Sequence, residues 1–210
     1  MFNKVKVTKS DVAQILPAIS READYRIYVR KKVREEVEKI KSKITEQFNN
    51  HPVTLELEQG ISANNISGTL NGITNLYSFI GFNQGYDPIS PIRSELNKIK
   101  LNESFSMKGT IRYTIDFPTA KDIFNITPLP WAIGRSWAKG IERGLSGLGY
   151  YIRGERVSSR SGSGIQSSKK VLSGARFKNT KYISALINTY IDDIKKLEKL
   201  ILWFLRFHII

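Results

Sequence analysis

Ile183, Ile187, Tyr190, Ile194, Leu197, Ile201 and Phe204 recur at spacings of 4, 3, 4, 3, 4 and 3. That repeat keeps one stripe of an α-helix apolar. It predicts a C-terminal helix over 181–206. A helix of this length must bury its stripe, either along its own domain or as a heptad-type seam against a second subunit. Leu200, Leu202, Trp203, Leu205, Ile209 and Ile210 widen the stripe beyond what one seam buries. Left exposed, such a tail is a contact site. Arg206 and His208 interrupt it, and it is shorter than the ~20 apolar residues of a spanning helix. No membrane partner is therefore expected.

A second long helix is expected over 18–50. Its apolar positions are Ile19, Ala23, Ile27, Val33, Val37, Ile40, Ile44 and Phe48, with Lys, Arg and Glu on the other face. Glu35–Lys39 and Arg34–Glu38 stand four apart, the spacing of helical ion pairs. Asn49, Asn50, His51 and Pro52 end it.

Between the helices, 53–130 reads as a sheet region. Val53 to Leu57 (VTLEL) alternates like a strand. Gln59 to Gly72 is turn-rich. Leu76 to Phe82 (LYSFIGF) reads as an apolar, buried or paired strand. Pro91 to Ile99 reads as a short helix with proline in its first turn. Phe105 to Phe117 holds the clearest strand, with Ile111, Tyr113, Ile115 and Phe117 alternating. Thr119 to Asp122 starts a further helical turn. The whole predicts a single α+β domain over 1–210: a small antiparallel sheet flanked by two long helices, with a long basic loop.

That loop lies in 131–177, where Trp131 to Leu145 is expected to be helical despite Gly134, Gly140 and Gly144. From Gly134 to Arg176 nine basic residues face two acidic ones, a net +7 and half of the +14 on the whole chain. Ser158 to Ser168 has too little apolar surface to fold alone. Arg153, Arg156, Arg160, Lys169, Lys170 and Arg176 are the candidates to face DNA or a neighbouring subunit. Lysine and arginine contacts to phosphate are sequence-blind and salt-dependent. No base-reading motif accompanies them.

Catalytic chemistry is not expected. There is no cysteine, so neither a disulfide nor a thiolate metal site exists, which fits a cytosolic setting. The first residues, MFNKVKVTKSDV, lack the apolar core of a signal peptide. His51 and His208 are far apart and without an acidic cluster. The glycines at 147, 149 and 154 lack the strand–loop–helix frame of a phosphate-binding loop. Glu142 reads as a surface ion-pair partner of Arg135 or Arg143, and Asp192-Asp193 with Lys195-Lys196 as a solvated face. No catalytic residue, metal ligand or cofactor is assigned.

Three features resemble the neck or tail-completion (head–tail connector) proteins of tailed bacteriophages. A long charged N-terminal helix leads to an SGTL piece at Ser67–Leu70. SWAKGIERGLSG at Ser136–Gly147 is similar to that family's segment of an aromatic, small residues, a Glu and a Gly-Ser-Gly-like close. ARFKNTKYISALINTY at Ala175–Tyr190 is similar to its closing Arg-Phe lead-in to a C-terminal helix. The resemblance implies a structural virion protein, not an enzyme. It would be assembled in the host bacterial cytoplasm into a homo-oligomeric ring that joins the capsid connector to the tail and helps retain packaged double-stranded DNA. Other neck, connector or tail proteins would be partners. Ring contacts are heterologous, so two different faces must match. Phe79, Phe82, Trp137, Ile187, Ile194, Leu197, Ile201 and Trp203 are the candidate interface. The competing expectation is a nucleic-acid-binding accessory protein without sequence preference. An enzyme such as a nuclease is the weakest of the three.

Overall fold

The computed structural model describes residues 22–72, 74–105, 111–130, 132–143, 152–156, 164–166 and 177–207. It is an α+β chain that divides into two compact units. Unit 1 takes residues up to Lys43, then Ile99–Asp116, then those from Tyr190. Unit 2 takes Ile44–Lys98 and Phe117–Thr189. The two long helices, α1 (Ala23–Asn49) and α7 (Ile183–Phe207), each give one part to each unit.

In unit 1, Val33 and Val37 of α1 pack with Leu197 of α7, and Val29, Ile40, Leu101, Tyr113 and Ile115 close round them. The stripe is thus 29, 33, 37 and 40, at helical spacing. Ile27 falls outside it and is 60% exposed. Six positions separate Ile27 from Val33, which turns it off the buried face. Leu101 lies on β1 (Lys100–Phe105) and Tyr113 and Ile115 on β2 (Ile111–Asp116), an antiparallel pair in register from Lys100–Asp116 to Phe105–Ile111. Only β2 is legible in advance. Arg30 of α1 grips Glu103 of β1 with both Nε (2.5 Å) and Nη2 (3.0 Å). The α1 surface pairs form three apart, Lys32–Glu35 and Lys39–Glu36, in place of the expected four-apart set. Asp193 of α7 binds Lys43 and Lys196, and Asp192 lies 3.7 Å from Lys195.

Unit 2 overturns two predicted strands. VTLEL belongs to α2 (Pro52–Gln59). It buries Val53, Thr54, Glu56 and Leu57 while Leu55 is exposed, a helical pattern. His51-Pro52 ends one helix and also starts the next: His51 caps it and proline fills its first turn. LYSFIGF contains α3 (Leu76–Ile80). Asn75 Oδ1 accepts from Ser78 N at 2.9 Å, and Gly81 closes the helix at φ 82°. A five-residue run buried on all sides has no periodicity, so its caps alone distinguish helix from strand.

Two expected helices are present, α4 (Ser90–Asn97) and α5 (Ala120–Asn125). Thr119 and Asp122 form a reciprocal capping box on α5. The expected helix from Trp131 is divided. β3 (Pro128–Leu129) pairs with β4 (Ala132–Ser136), and α6 (Trp137–Arg143) follows. Gly134 has φ +75°, which lets the strand bend before Ser136 Oγ accepts from Lys139 N at 3.1 Å and caps α6. β5 (Ile152–Arg156) pairs with β6 (Gly164–Gln166). Among the described residues the strands therefore form three separate antiparallel pairs in place of one sheet.

Candidate functional site

The basic stretch belongs to unit 2 and runs between Arg143 and Phe177, and both ends are fixed. Thr180 N donates to the Ile141 carbonyl of α6 at 3.2 Å. Lys178 N donates to the Thr69 carbonyl at 2.8 Å. Phe177 stacks on Phe79 of α3 with centroids 5.5 Å apart. Tyr182 is fully buried, its hydroxyl 2.9 Å from Thr54 Oγ1 and its ring among Phe48, His51 and Trp137. Burial pushes the Tyr182 phenol far above its ordinary range, and the Thr54 bond opposes that. Six residues, 177 to 182, thus touch α2, α3, α6 and the SGTL turn.

Two carboxylates stiffen this frame, one buried and one half-buried. Glu56 has no exposed surface. It accepts from Leu76 N (2.7 Å), Ser67 N (2.9 Å) and Asn65 Nδ2 (2.9 Å). Leu76 opens α3, so the carboxylate meets a helix N-terminus, where unpaired amides and the dipole favour negative charge. Asn65 Oδ1 in turn accepts from Leu70 N at 2.9 Å, which fixes SGTL. Glu142 accepts from Ser184 N (2.6 Å) and Ser184 Oγ (2.5 Å) in the first turn of α7. The predicted surface ion pair is therefore a helix cap. Its sequence signal is the serine one residue inside a helix start, read against a carboxylate 42 positions away.

Between these ends lie 33 residues, 144–176, with six basic side chains and one acidic one. Arg153 and Arg156 stand on β5. Arg160, Lys169, Lys170 and Arg176 lie outside the described residues. The structure thus brings two of the six cations onto one short strand, paired with β6.

The predicted interface divides. Phe79, Phe82 and Trp137 are each 1% exposed inside unit 2, with Phe82 edge-on to Trp137. Their apolar surface is taken up by the frame. Ile187 is buried in unit 2, Leu197 is buried in unit 1, and Ile194 is half-buried. The α7 seam therefore packs within the chain as far as Leu197. The side chains of Ile201 and Trp203 lie outside the described residues.

A shallow cleft of about 330 Å³ opens beside Tyr77 and Tyr86. Its carboxylates are engaged. Glu58 pairs with Arg93 at 2.7 Å, and Asp87 accepts from Ile89 N, Ser90 N and Ser90 Oγ. Burial works to raise the Asp87 carboxyl, but the Ser90 and Ile89 bonds outweigh it and hold it below its ordinary value. Among the described residues no three His, Asp or Glu side chains gather as a metal site, and no helix is long and apolar enough to cross a membrane. In comparisons with known protein families, curated proteins and solved structures, nothing matches the chain.

Proposed function

We propose that this chain is a structural subunit of a tailed-phage neck or head–tail junction, acting by assembly and not by catalysis. Copies close into a ring between the capsid connector and the tail, and the 144–176 stretch faces packaged DNA or an adjoining ring. The observation that supports this most is the pinned basic stretch: a concentrated positive charge carried on a frame with both of its ends tied together. Such a frame presents cations without deforming when they are engaged. Glu142, the acid in the phrase that resembles the neck family, is used to cap α7, which suits an architectural role.

Sedimentation velocity of the pure protein tests the assembly. Rings, or concentration-dependent association, are expected. The triple change Arg153→Ala, Arg156→Ala and Arg160→Ala should leave circular dichroism and melting unchanged while impairing particle assembly. Duplex DNA binding should show a log–log salt slope shallower by ~0.9 for each phosphate contact removed. A strictly monomeric protein with tight, salt-sensitive DNA binding would favour the nucleic-acid-binding accessory role. A triple variant normal in both assembly and DNA binding would remove the basic stretch from either reading.

A further inference from the structure

His51 is held by both ring nitrogens. Nδ1 accepts from Val53 N at 3.2 Å, in the first turn of α2. An accepting Nδ1 carries no proton, so Nε2 carries it and donates to the Lys181 carbonyl at 3.0 Å. The ring also lies 4.8 Å from that of Tyr182. One neutral tautomer thus joins the start of α2 to the segment that returns from the basic stretch.

We infer that His51 is an acid-sensitive clasp: a second proton releases the start of α2 from the Lys181–Tyr182 segment and loosens the root of the basic stretch. Protonation can occur only at Nδ1. It would turn the acceptor for Val53 N into a donor and place a positive charge at a helix N-terminus, where the dipole disfavours it. The nearby elements supply little to offset that charge. On α2, Glu56 is committed to Leu76, Ser67 and Asn65, and Glu58 to Arg93 of α4. Glu95 of α4 pairs with Lys98. The returning segment adds Lys178, Lys181 and the deeply buried Tyr182, and the end of α1 adds Glu46. Burial, partly opposed by the Lys181 bond, holds the imidazole below its ordinary 6.5.

The clasp is therefore whole above pH 6.5, the value of the unfolded imidazole, and is lost as pH falls below it through the lower folded value. The test is amide hydrogen exchange at pH 7 and pH 5 on the full chain and on His51→Asn. Asparagine caps a helix and does not titrate. In the wild type, protection of the Val53 and Thr180 amides should fall about tenfold for each unit by which the folded value lies below 6.5, while Leu197 is unaffected. In His51→Asn the fall should vanish. An equal fall in both proteins would overturn the clasp. If the variant does not fold, proton NMR titration of His51 in the wild type decides: a value at or above 6.5 overturns the clasp, and a lower one supports it.

Discussion

Unit 1 and unit 2 are held together by different chemistry. Unit 1 rests on aliphatic side chains at helical spacing, a strand pair and ion pairs such as Arg30–Glu103. Unit 2 rests on aromatic rings and on polar groups with several partners each: Glu56, Asn65, Thr54 with Tyr182, and Glu142 with Ser184. Aliphatic packing tolerates swaps of similar volume. A buried polar network does not, because one missing partner leaves others unpaired. The basic stretch hangs from the second kind of unit, where its ends stay in place.

The largest test of this contrast is Trp137→Ala. Trp137 meets Phe82 and Tyr182 at 1% exposure, and a loss of about 4 kcal/mol is expected in urea unfolding. Glu56→Ala comes next, at about 3 kcal/mol, because the Leu76, Ser67 and Asn65 donors lose their acceptor. The SGTL amides should then exchange faster. In unit 1, Leu197→Ala should cost ~2–3 kcal/mol, and Leu197→Met under ~1.5. If Leu197→Met cost as much as Glu56→Ala, the two units would not differ in tolerance. The smallest effect is expected from Glu103→Gln. The Arg30 guanidinium holds the Glu103 carboxyl below its ordinary 4.5, so this contribution is present above pH 4.5 and is lost as pH falls through the lower folded value. A pH series of thermal melts followed by exchange should therefore weaken unit 2 first, below pH 6.5, and unit 1 only below 4.5. The reverse order would break the comparison.

The same contrast explains what could be read from the chain. Unit 1 is periodic, and periodicity is visible without partners: α1, α7 and β2 were all expected, although β1 was not. α4 and α5 announce themselves through Pro91 and through Thr119 with Asp122. Unit 2 hides its logic in pairs distant in sequence. Glu56 reaches Leu76, Glu142 reaches Ser184, and His51 reaches Lys181, 130 positions on. No local pattern announces a hydrogen-bond partner so far away. VTLEL and the LYSFI of LYSFIGF are helical despite their alternation and apolar content, because their caps decide the conformation. His51-Pro52, and Asn75 with Gly81, carried the decisive signal. Among the candidate site residues, the six cations are nominated by charge alone, and no local pattern points to the bonds that hold the ends of their stretch.

The bond from Thr180 N to the Ile141 carbonyl has a consequence for how this chain can change. It closes the basic stretch at its neck, and within the stretch β6 also meets α3. Doubling the length of a closed loop costs in general only ~0.6 kcal/mol. An insertion between Arg156 and Gly164 lengthens only the connection from β5 to β6, so a small change in the stability of the core is the expected outcome. Such a site can be recut to fit a new neighbour without rebuilding the protein that carries it.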